Sequence, residues 1–475
     1  MDSTIQTDLL VLGGGPGGYT AAFRAADLGK KVTIVEARDT LGGVCLNVGC
    51  IPSKTLLHAA DVIQEAKALS GKGVDFGAPK IDLAALRANR DEVIRTLSNG
   101  LAGLAKRRKV RIVNGRGRFV DTHTLTVAGP DGEHAITFKQ AIIAVGSSAV
   151  TLEDWPNEDS RLLDSTDALA LAEIPKRMLV VGGGIIGAEM ATVYAALGSE
   201  VSIAELSDQL IPGVDKDVVQ PLEARLAELC ASVETGVQVT SVTAGKKGLI
   251  VETSKEAKSE RRTFDAVLVA VGRRPNGAMI DAQKAGVEVD AKGYIRVDRQ
   301  CRTNVPHIFA IGDVVGQPML AHKASYEAKI AAEVCAGHDV SYDAWTIPSV
   351  AYTDPEIAWA GHTEMSARAE NVPFKVARFP WAGNGRNLGS GRVDGLTKIL
   401  YDPDSGQLLG AAVTGKNAGE LIAEAVLAME MCATIKDISL MIHPHPTLAE
   451  TLAMATEVAL GACTELPPVV KKSKS

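Results

Sequence analysis

Aromatic residues are scarce: Phe, Trp and Tyr make up 4% of the 475 residues, and the formal net charge is −7. The chain therefore lacks both the stacking platforms and the basic face that nucleic acid requires, and no nucleic-acid partner is expected. No run of 18 or more apolar residues occurs, so no membrane-spanning helix is expected; Met178 to Ala188 comes nearest, but it is glycine-rich and meets Glu189. Met1 to Asp8 carries no basic segment, which argues against a signal peptide. Nothing completes a zinc site around Cys45 and Cys50, which lie five apart with no second close Cys or His pair in the chain, and no metal is expected. Seven cysteines form no disulfide framework, as in a reducing cytoplasm where any disulfide is catalytic. Cys230, Cys301, Cys335, Cys432 and Cys463 read as structural or incidental thiols.

What the chain has in quantity is glycine, 46 residues of it, and enough length for three or four domains. The first glycine cluster follows the apolar run Leu9–Leu12, read as a buried parallel strand. Gly13-Gly14-Gly15-Pro16-Gly17-Gly18 leads into an Ala-rich helix from about Tyr19 to Leu28, and a second strand, Lys31–Val35, ends at Glu36. This is the strand–GxGxxG–helix–strand–acid order of a dinucleotide-binding unit. Gly13 permits the tight turn, Gly15 lets backbone approach a pyrophosphate, Gly18 lets helix and sheet pack closely, and Glu36 can accept hydrogen bonds from a ribose.

The unit recurs. Met178–Val181 leads to Gly182, Gly184 and Gly187, a helix from about Ala188 to Leu197, and a strand from Glu200 ending at Glu205. The acid stands 23 positions after the first glycine in both copies. Two copies imply two bound nucleotides and electron transfer between them. An acid at Glu205 favours a free 2′-hydroxyl, and no Arg or Lys follows before Lys216, so the second site is assigned to NAD.

Two further clusters carry chemistry. Cys45 and Cys50 lie within Gly42 to Lys54; their spacing suits a reversible disulfide closing a small loop, while two buried free thiols are the other reading of the same residues. Near the end comes His443-Pro444-His445-Pro446-Thr447-Leu448-Ala449-Glu450. Pro446 can open a helix, placing Glu450 about one turn in, where its carboxylate can hold the His445 imidazole and fix its tautomer.

The stretch from Gly42 to Lys54, the paired glycine motifs, Gly312-Asp313 and the His-Pro-Thr-x-x-Glu run together resemble the flavoprotein disulfide reductases. The wording is closest to the branch that oxidises protein-bound dihydrolipoamide, and the resemblance runs from Leu9 to about Pro467. It implies an α/β fold with two Rossmann-like dinucleotide-binding domains and a C-terminal α+β dimerisation domain. The expected boundaries are an FAD-binding domain at 1–149, an NAD-binding domain at 150–276, a central domain completing the FAD site at 277–345, an interface domain at 346–467 and a disordered tail at 468–475. It also implies a homodimer, a lipoyl carrier domain as partner, and FAD and NAD as cofactors.

Carried onto this chain, the resemblance makes Cys45 the outer and Cys50 the inner sulfur of a redox disulfide, and His445 with Glu450 the acid–base pair serving the other subunit. Lys54 would lie close to the flavin, with Glu189 as its partner near the nicotinamide. Gly117, Ser147, Asp313 and Ala321 would join the FAD site, and Val237, Ala270 and Gly272 the NAD site. Val145 stands where the family has Thr, and Pro444 where it often has a small residue. Among relatives of the same plan, glutathione reductases need basic residues after the second acid, mercuric reductases add a C-terminal Cys pair, and soluble transhydrogenases lack one redox cysteine. A non-catalytic flavoprotein scaffold would have no need of intact Cys45, Cys50, Lys54, His445 and Glu450.

Overall fold

Leu9, Leu10 and Val11 are fully buried in the strand Ile5–Leu12, around which the first sheet grows. An apolar run without alternation suits a parallel strand covered on both faces. It pairs in parallel with Val32–Glu36 on one side and Gly132–Ile143 on the other. Arg111–Asn114 extends the first edge, and Ile308–Ala310 lies parallel to Gly132–Ile143. Thr124–Gly129 and Arg116–Phe119 add an antiparallel wing, making seven strands. The computed structural model describes residues 4–130, 132–256 and 258–467; the tail expected at 468–475 lies outside these described residues.

The helix Pro16–Asp27 opens with Gly15 as N-cap and Pro16 at its first position, where a missing N–H costs nothing. It packs against Ala321–Cys335, the helix that follows the returning strand Ile308–Ala310. Gly17 makes this approach possible, since a Cβ there would stand 3.2 Å from Ile311 and 3.3 Å from Ala324. The segment 277–345 is thus bonded into the first sheet and packed on its first helix.

The second unit has five parallel strands in the order Ser232–Thr235, Glu200–Glu205, Arg177–Val181, Ala266–Val269, Leu162–Leu163. Its helix Ile185–Ala196, Glu189 and Thr192 apart, is apolar around its circumference and correspondingly buried. The two units are joined by Ser147–Ala149 and Arg273–Pro275, which pair antiparallel where the chain passes out and back. The C-terminal part is a five-stranded antiparallel sheet, ordered Ser349–Ala351, Glu356–Gly361, Leu408–Gly415, Leu396–Tyr401, Lys375–Pro380, with helices Ala418–Glu430 and Glu450–Leu460 packed on it.

A buried charge cluster ties this sheet to the second unit. Lys398 is fully buried, and its Nζ lies 2.8 Å from Asp215, 2.8 Å from Asp217 and 2.7 Å from Glu364. Arg378 pairs with Asp217 and Glu364 from the rim. A buried ammonium is tolerable only with such partners.

Several elements differ from the sequence expectation. The cysteines sit on two helices, Gly43–Val48 and Cys50–Leu69, broken at Gly49, where a Cβ would stand 2.9 Å from the Val44 carbonyl oxygen. The long strand Gly132–Ile143 is only half-buried along its outer half, where it meets the antiparallel wing. The C-terminal part has five helices among the described residues, the short ones at Glu364–Ala369 and Ile435–Ser439 being opened by capping boxes from Thr363 and Thr434. The last helix opens at Glu450, not Pro446, because Glu450 turns its carboxylate back onto the Thr447 N–H and holds residues 446–449 as a turn.

Candidate active site

Both glycine motifs are built alike. A Cβ on Gly18 would stand 1.8 Å from the Gly13 carbonyl oxygen, and one on Gly187 would stand 1.9 Å from that of Gly182. Only glycine allows those helices to lie so close to the turn before them. At Gly184 nothing lies within 4 Å of the Cβ position, and at Gly15 the nearest atom is the Gly43 Cα at 3.8 Å. These openings face the helix starts and fit the close approach of a diphosphate in each unit.

The acids at the strand ends are buried and fixed by backbone. Glu36 accepts from the Gly14 N–H at 2.7 Å and the Arg38 N–H at 2.8 Å. Glu205 accepts from the Gly183 N–H at 2.5 Å and the Ser207 N–H at 2.7 Å. Each carboxylate keeps lone pairs for a ribose, but each also holds its own glycine loop in shape. Sequence reasoning missed that second task; the equal spacing of the two copies was its only trace.

Around the second motif, the Val237 N–H donates to the Glu205 carbonyl at 2.9 Å, and the Ala270 carbonyl bounds Gly182. Gly272 has a φ of +125° and open space about it. On the first side, Gly117 packs under Leu12, Leu125 and Val35. The Ser147 hydroxyl donates to Asp313 at 2.5 Å and accepts from Arg273 Nε at 2.7 Å. Arg273 also donates to the Ser147 carbonyl at 2.6 Å, a link the sequence reading did not single out. Ala321 is the first residue of its helix, so its N–H has no intrahelical partner.

The cysteine helices lie across the first glycine loop. The Gly42 N–H donates to the Gly14 carbonyl at 2.8 Å, and a Cβ on Gly43 would meet the Gly15 Cα at 2.6 Å. Cys45 and Cys50 are both free thiols and partly exposed. The Cys45 thiol hydrogen-bonds to Cys50, which, with help from Lys54 and against burial, lowers Cys50 to about 7. The same contact and burial push Cys45 up. Of the two thiols, Cys50 is therefore the one favoured as thiolate.

Lys54 lies one turn after Cys50. Its Nζ meets both carboxylate oxygens of Glu189 at 3.0 Å and sits 4.4 Å from the centre of the Tyr352 ring. This pair joins the cysteine helix to the helix of the second glycine motif. The predicted Lys54–Glu189 partnership is thus present as geometry.

His445 and Glu450 are also together: His445 Nδ1 lies 2.8 Å from Glu450 Oε1, while Oε2 accepts from the Thr447 N–H at 2.7 Å. The His445 side chain is 75% exposed, whereas that of His443 is 7% exposed and bonded to Glu424 at 2.8 Å. The difference separates a presented imidazole from a packed one. Among the described residues, the hydrogen bond and ion pair of His445 end at Glu450, and neither thiol of the same chain is its partner.

Residues 7–328 match the family model of the pyridine nucleotide-disulphide oxidoreductases, and residues 347–456 match the dimerisation domain of that family. The chain is 52% identical over its whole length to the dihydrolipoyl dehydrogenase of Vibrio cholerae, covering 100% of both chains. It is 52% identical to the dihydrolipoyl dehydrogenase of Haemophilus influenzae, covering 100% of this chain and 99% of that one. Among solved structures, LpdA of Mycobacterium tuberculosis superposes with a TM-score of 0.86 at 26% identity, covering 96% of this chain and 99% of that one. The HOCl-induced flavoprotein disulfide reductase RclA of Escherichia coli superposes with a TM-score of 0.84 at 25% identity, covering 95% and 99%.

Proposed function

This chain belongs to the pyridine nucleotide-disulphide oxidoreductase family, and from that membership we propose the residue roles by which it oxidises protein-bound dihydrolipoamide. It is an oxidoreductase that works with FAD and NAD, and its dimerisation domain makes it a homodimer. The overall reaction is dihydrolipoyl protein plus NAD⁺ giving lipoyl protein, NADH and H⁺. The observation that carries the roles is the Cys45–Cys50 pair beside the Lys54–Glu189 bridge, which sets one redox couple between two nucleotide-binding units.

His445, held in one tautomer by Glu450, takes the proton from a substrate thiol, because the thiolate is the nucleophile. The thiolate attacks the Cys45 sulfur of the oxidised pair; a substrate–Cys45 disulfide forms and Cys50 leaves as thiolate. The second substrate thiolate then attacks the first substrate sulfur, closing the lipoyl disulfide and releasing Cys45. Two electrons now rest on the cysteine pair. The lowered Cys50 suits the leaving role, and Lys54 balances the thiolate charge. FAD, when bound, relays the two electrons as hydride to NAD⁺. Gly13, Gly15, Gly18, Glu36, Gly117, Ser147, Asp313 and Ala321 would hold FAD; Gly182, Gly184, Gly187, Glu205, Val237, Ala270 and Gly272 would hold NAD. His445 serves the cysteine pair of the partner subunit, a reading supported by its exposure and its lack of a thiol partner within its own chain.

The domain limits read from sequence, 1–149, 150–276, 277–345 and 346–467, stand as part of this proposal, with segment 277–345 completing the FAD site. No helix is long and apolar enough to cross a membrane among the described residues. The cytoplasm is the proposed location, since the five other cysteines are free thiols. The partner is the lipoyl domain of an acyltransferase subunit or another lipoyl carrier. The test is purified flavin-loaded dimer with dihydrolipoamide and NAD⁺, then NADP⁺, followed by absorbance of reduced nicotinamide. Turnover with NAD⁺ that is lost in Cys45→Ser, and little with NADP⁺, is expected. A flavin-loaded dimer without dihydrolipoamide turnover points to another disulfide substrate.

A further inference from the structure

Tyr352 touches the redox centre from outside both nucleotide-binding units. It follows Ser349–Ala351, the edge strand of the C-terminal sheet. Its backbone N–H donates to Glu189 Oε1 at 3.0 Å, and its ring lies 4.4 Å below the Lys54 ammonium. The ring is backed by the start of helix Ala418–Glu430, where a Cβ on Gly419 would stand 3.5 Å from Tyr352 Cε1. One residue therefore grips both members of the ion pair beside Cys50. Lys54 is one-third exposed, so without a ring over it water would reach the ammonium from that side. The face of an aromatic ring attracts a cation while excluding water.

The charges around Cys50 can be named element by element. Cys45 faces it from Gly43–Val48, Lys54 from its own helix, Glu189 from Ile185–Ala196, Tyr19 from Pro16–Asp27 and Tyr352 from the C-terminal part. Lys54 favours the Cys50 thiolate and Glu189 opposes it. Glu356 also feels the Lys54 charge. The balance at Cys50 depends on where the ammonium rests between these acids, and the Tyr352 ring bounds that position.

We propose that Tyr352 is a positioning residue of the redox centre: its ring face holds the Lys54 ammonium, and its N–H holds Glu189, so that Cys50 feels the full Lys54 charge. This rests on the Cys45–Cys50 reading above, not on the identity of the disulfide substrate.

The test uses the flavin-loaded full-length dimer carrying Cys45→Ser, which leaves Cys50 as the one thiol of the pair. Position 352 is replaced by Phe and by progressively fluorinated phenylalanines, which keep the ring's shape while draining charge from its face. The pH titration of the thiolate–flavin charge-transfer absorbance reads Cys50 directly. Phe is expected to titrate as Tyr does, and the midpoint to climb stepwise with fluorination by about half a pH unit in all, the size a partly exposed cation–π contact carries. A midpoint flat across the series overturns the proposal, as does a shift on Tyr352→Phe alone, which would assign the effect to the hydroxyl. If the Tyr352 parent gives no charge-transfer band at any pH, the Cys50 reading itself fails and takes the proposal with it.

Discussion

Glu450→Gln isolates what the carboxylate does for His445. Glu450 is nearly buried and spends both oxygens, Oε1 on His445 Nδ1 at 2.8 Å and Oε2 on the Thr447 N–H at 2.7 Å. Glutamine has the same shape but one acceptor. Whichever bond its oxygen keeps, its NH₂ faces a donor on the other side, so one charge-assisted bond is lost. Such bonds contribute about 1.5–3 kcal/mol, and at 1.36 kcal/mol per tenfold that is roughly a 10- to 150-fold loss in the step that makes the imidazolium. Because helix Glu450–Leu460 keeps its first residue, the fold should survive. The assay compares two reactions of one preparation. Dihydrolipoamide oxidation by NAD⁺, with His445 as its proposed base, should fall by that factor. Reduction of a one-electron dye by NADH bypasses the cysteine pair and should stay within about threefold, since its barrier contains no His445 proton transfer. Full dihydrolipoamide turnover in Glu450→Gln would refute the role of the pair, and an equal loss in both reactions would show damage to the flavin site instead.

Three other expectations follow from named contacts. Lys398→Met removes the buried ammonium shared by Asp215, Asp217 and Glu364, leaving Asp217 with Arg378, Glu364 with Arg378 and Arg368, and Asp215 with backbone N–H groups alone; a loss of about 3–5 kcal/mol of stability by denaturant unfolding is expected at pH 7. Burial raises the Asp217 carboxyl, but Lys398 and Arg378 outweigh it and hold it low, so this stabilisation is present above the ordinary value of 3.8 and fades as pH falls through the lower folded value. The gap between wild type and Lys398→Met should therefore narrow below that pH, and a constant gap would count against the cluster. Gly187→Ala puts a methyl 1.9 Å from the Gly182 carbonyl oxygen and should raise KM for NAD⁺ at least tenfold with flavin loading intact, whereas Gly18→Ala should yield protein with little bound flavin. Glu205→Ala should not convert the enzyme to NADP⁺: it frees the Gly183 and Ser207 N–H groups, so affinity for both nucleotides should drop in direct binding measurements. A gain in NADP⁺ affinity without loss for NAD⁺ would refute the structural task of Glu205.

Local chemistry was readable where it recurs at fixed spacing. The strand–glycine–helix–acid units, with Glu36 and Glu205 at matching distances, gave both nucleotide-binding folds and their helices to within a few residues. His445 and Glu450 were close enough in sequence for their bond to be anticipated, though the helix start was not, because a proline able to open a helix also suits a turn. Contacts across long separations left no local trace. Lys398 reads as an ordinary strand residue; only the approach of Asp215, Asp217 and Glu364 from other elements makes its burial tolerable. The return of Ile308–Ala310 to the first sheet and the Lys54–Glu189 pair came from family resemblance, since apolar periodicity marks a strand without naming its neighbour.

The helix Cys50–Leu69 shows why those distant contacts matter to the chemistry. Its first residue is Cys50, and its next turn is fixed by Glu189 of the second nucleotide unit and by Tyr352 of the C-terminal part. Further along, Gln64 accepts from Arg225 at 3.4 Å and Glu65 pairs with Lys416. Arg225 in turn reaches the buried Asp354, just beyond Tyr352, at 3.3 Å. The helix is thus anchored to two bodies besides the first glycine loop over which it begins. A thiol–disulfide couple that takes electrons from a dithiol and hands them to a nucleotide cofactor tolerates little drift relative to it, because reactive geometry is lost within about 1 Å. A helix held from three sides supplies that constancy, and the anchoring charges lie along the same element that carries the thiolate they tune.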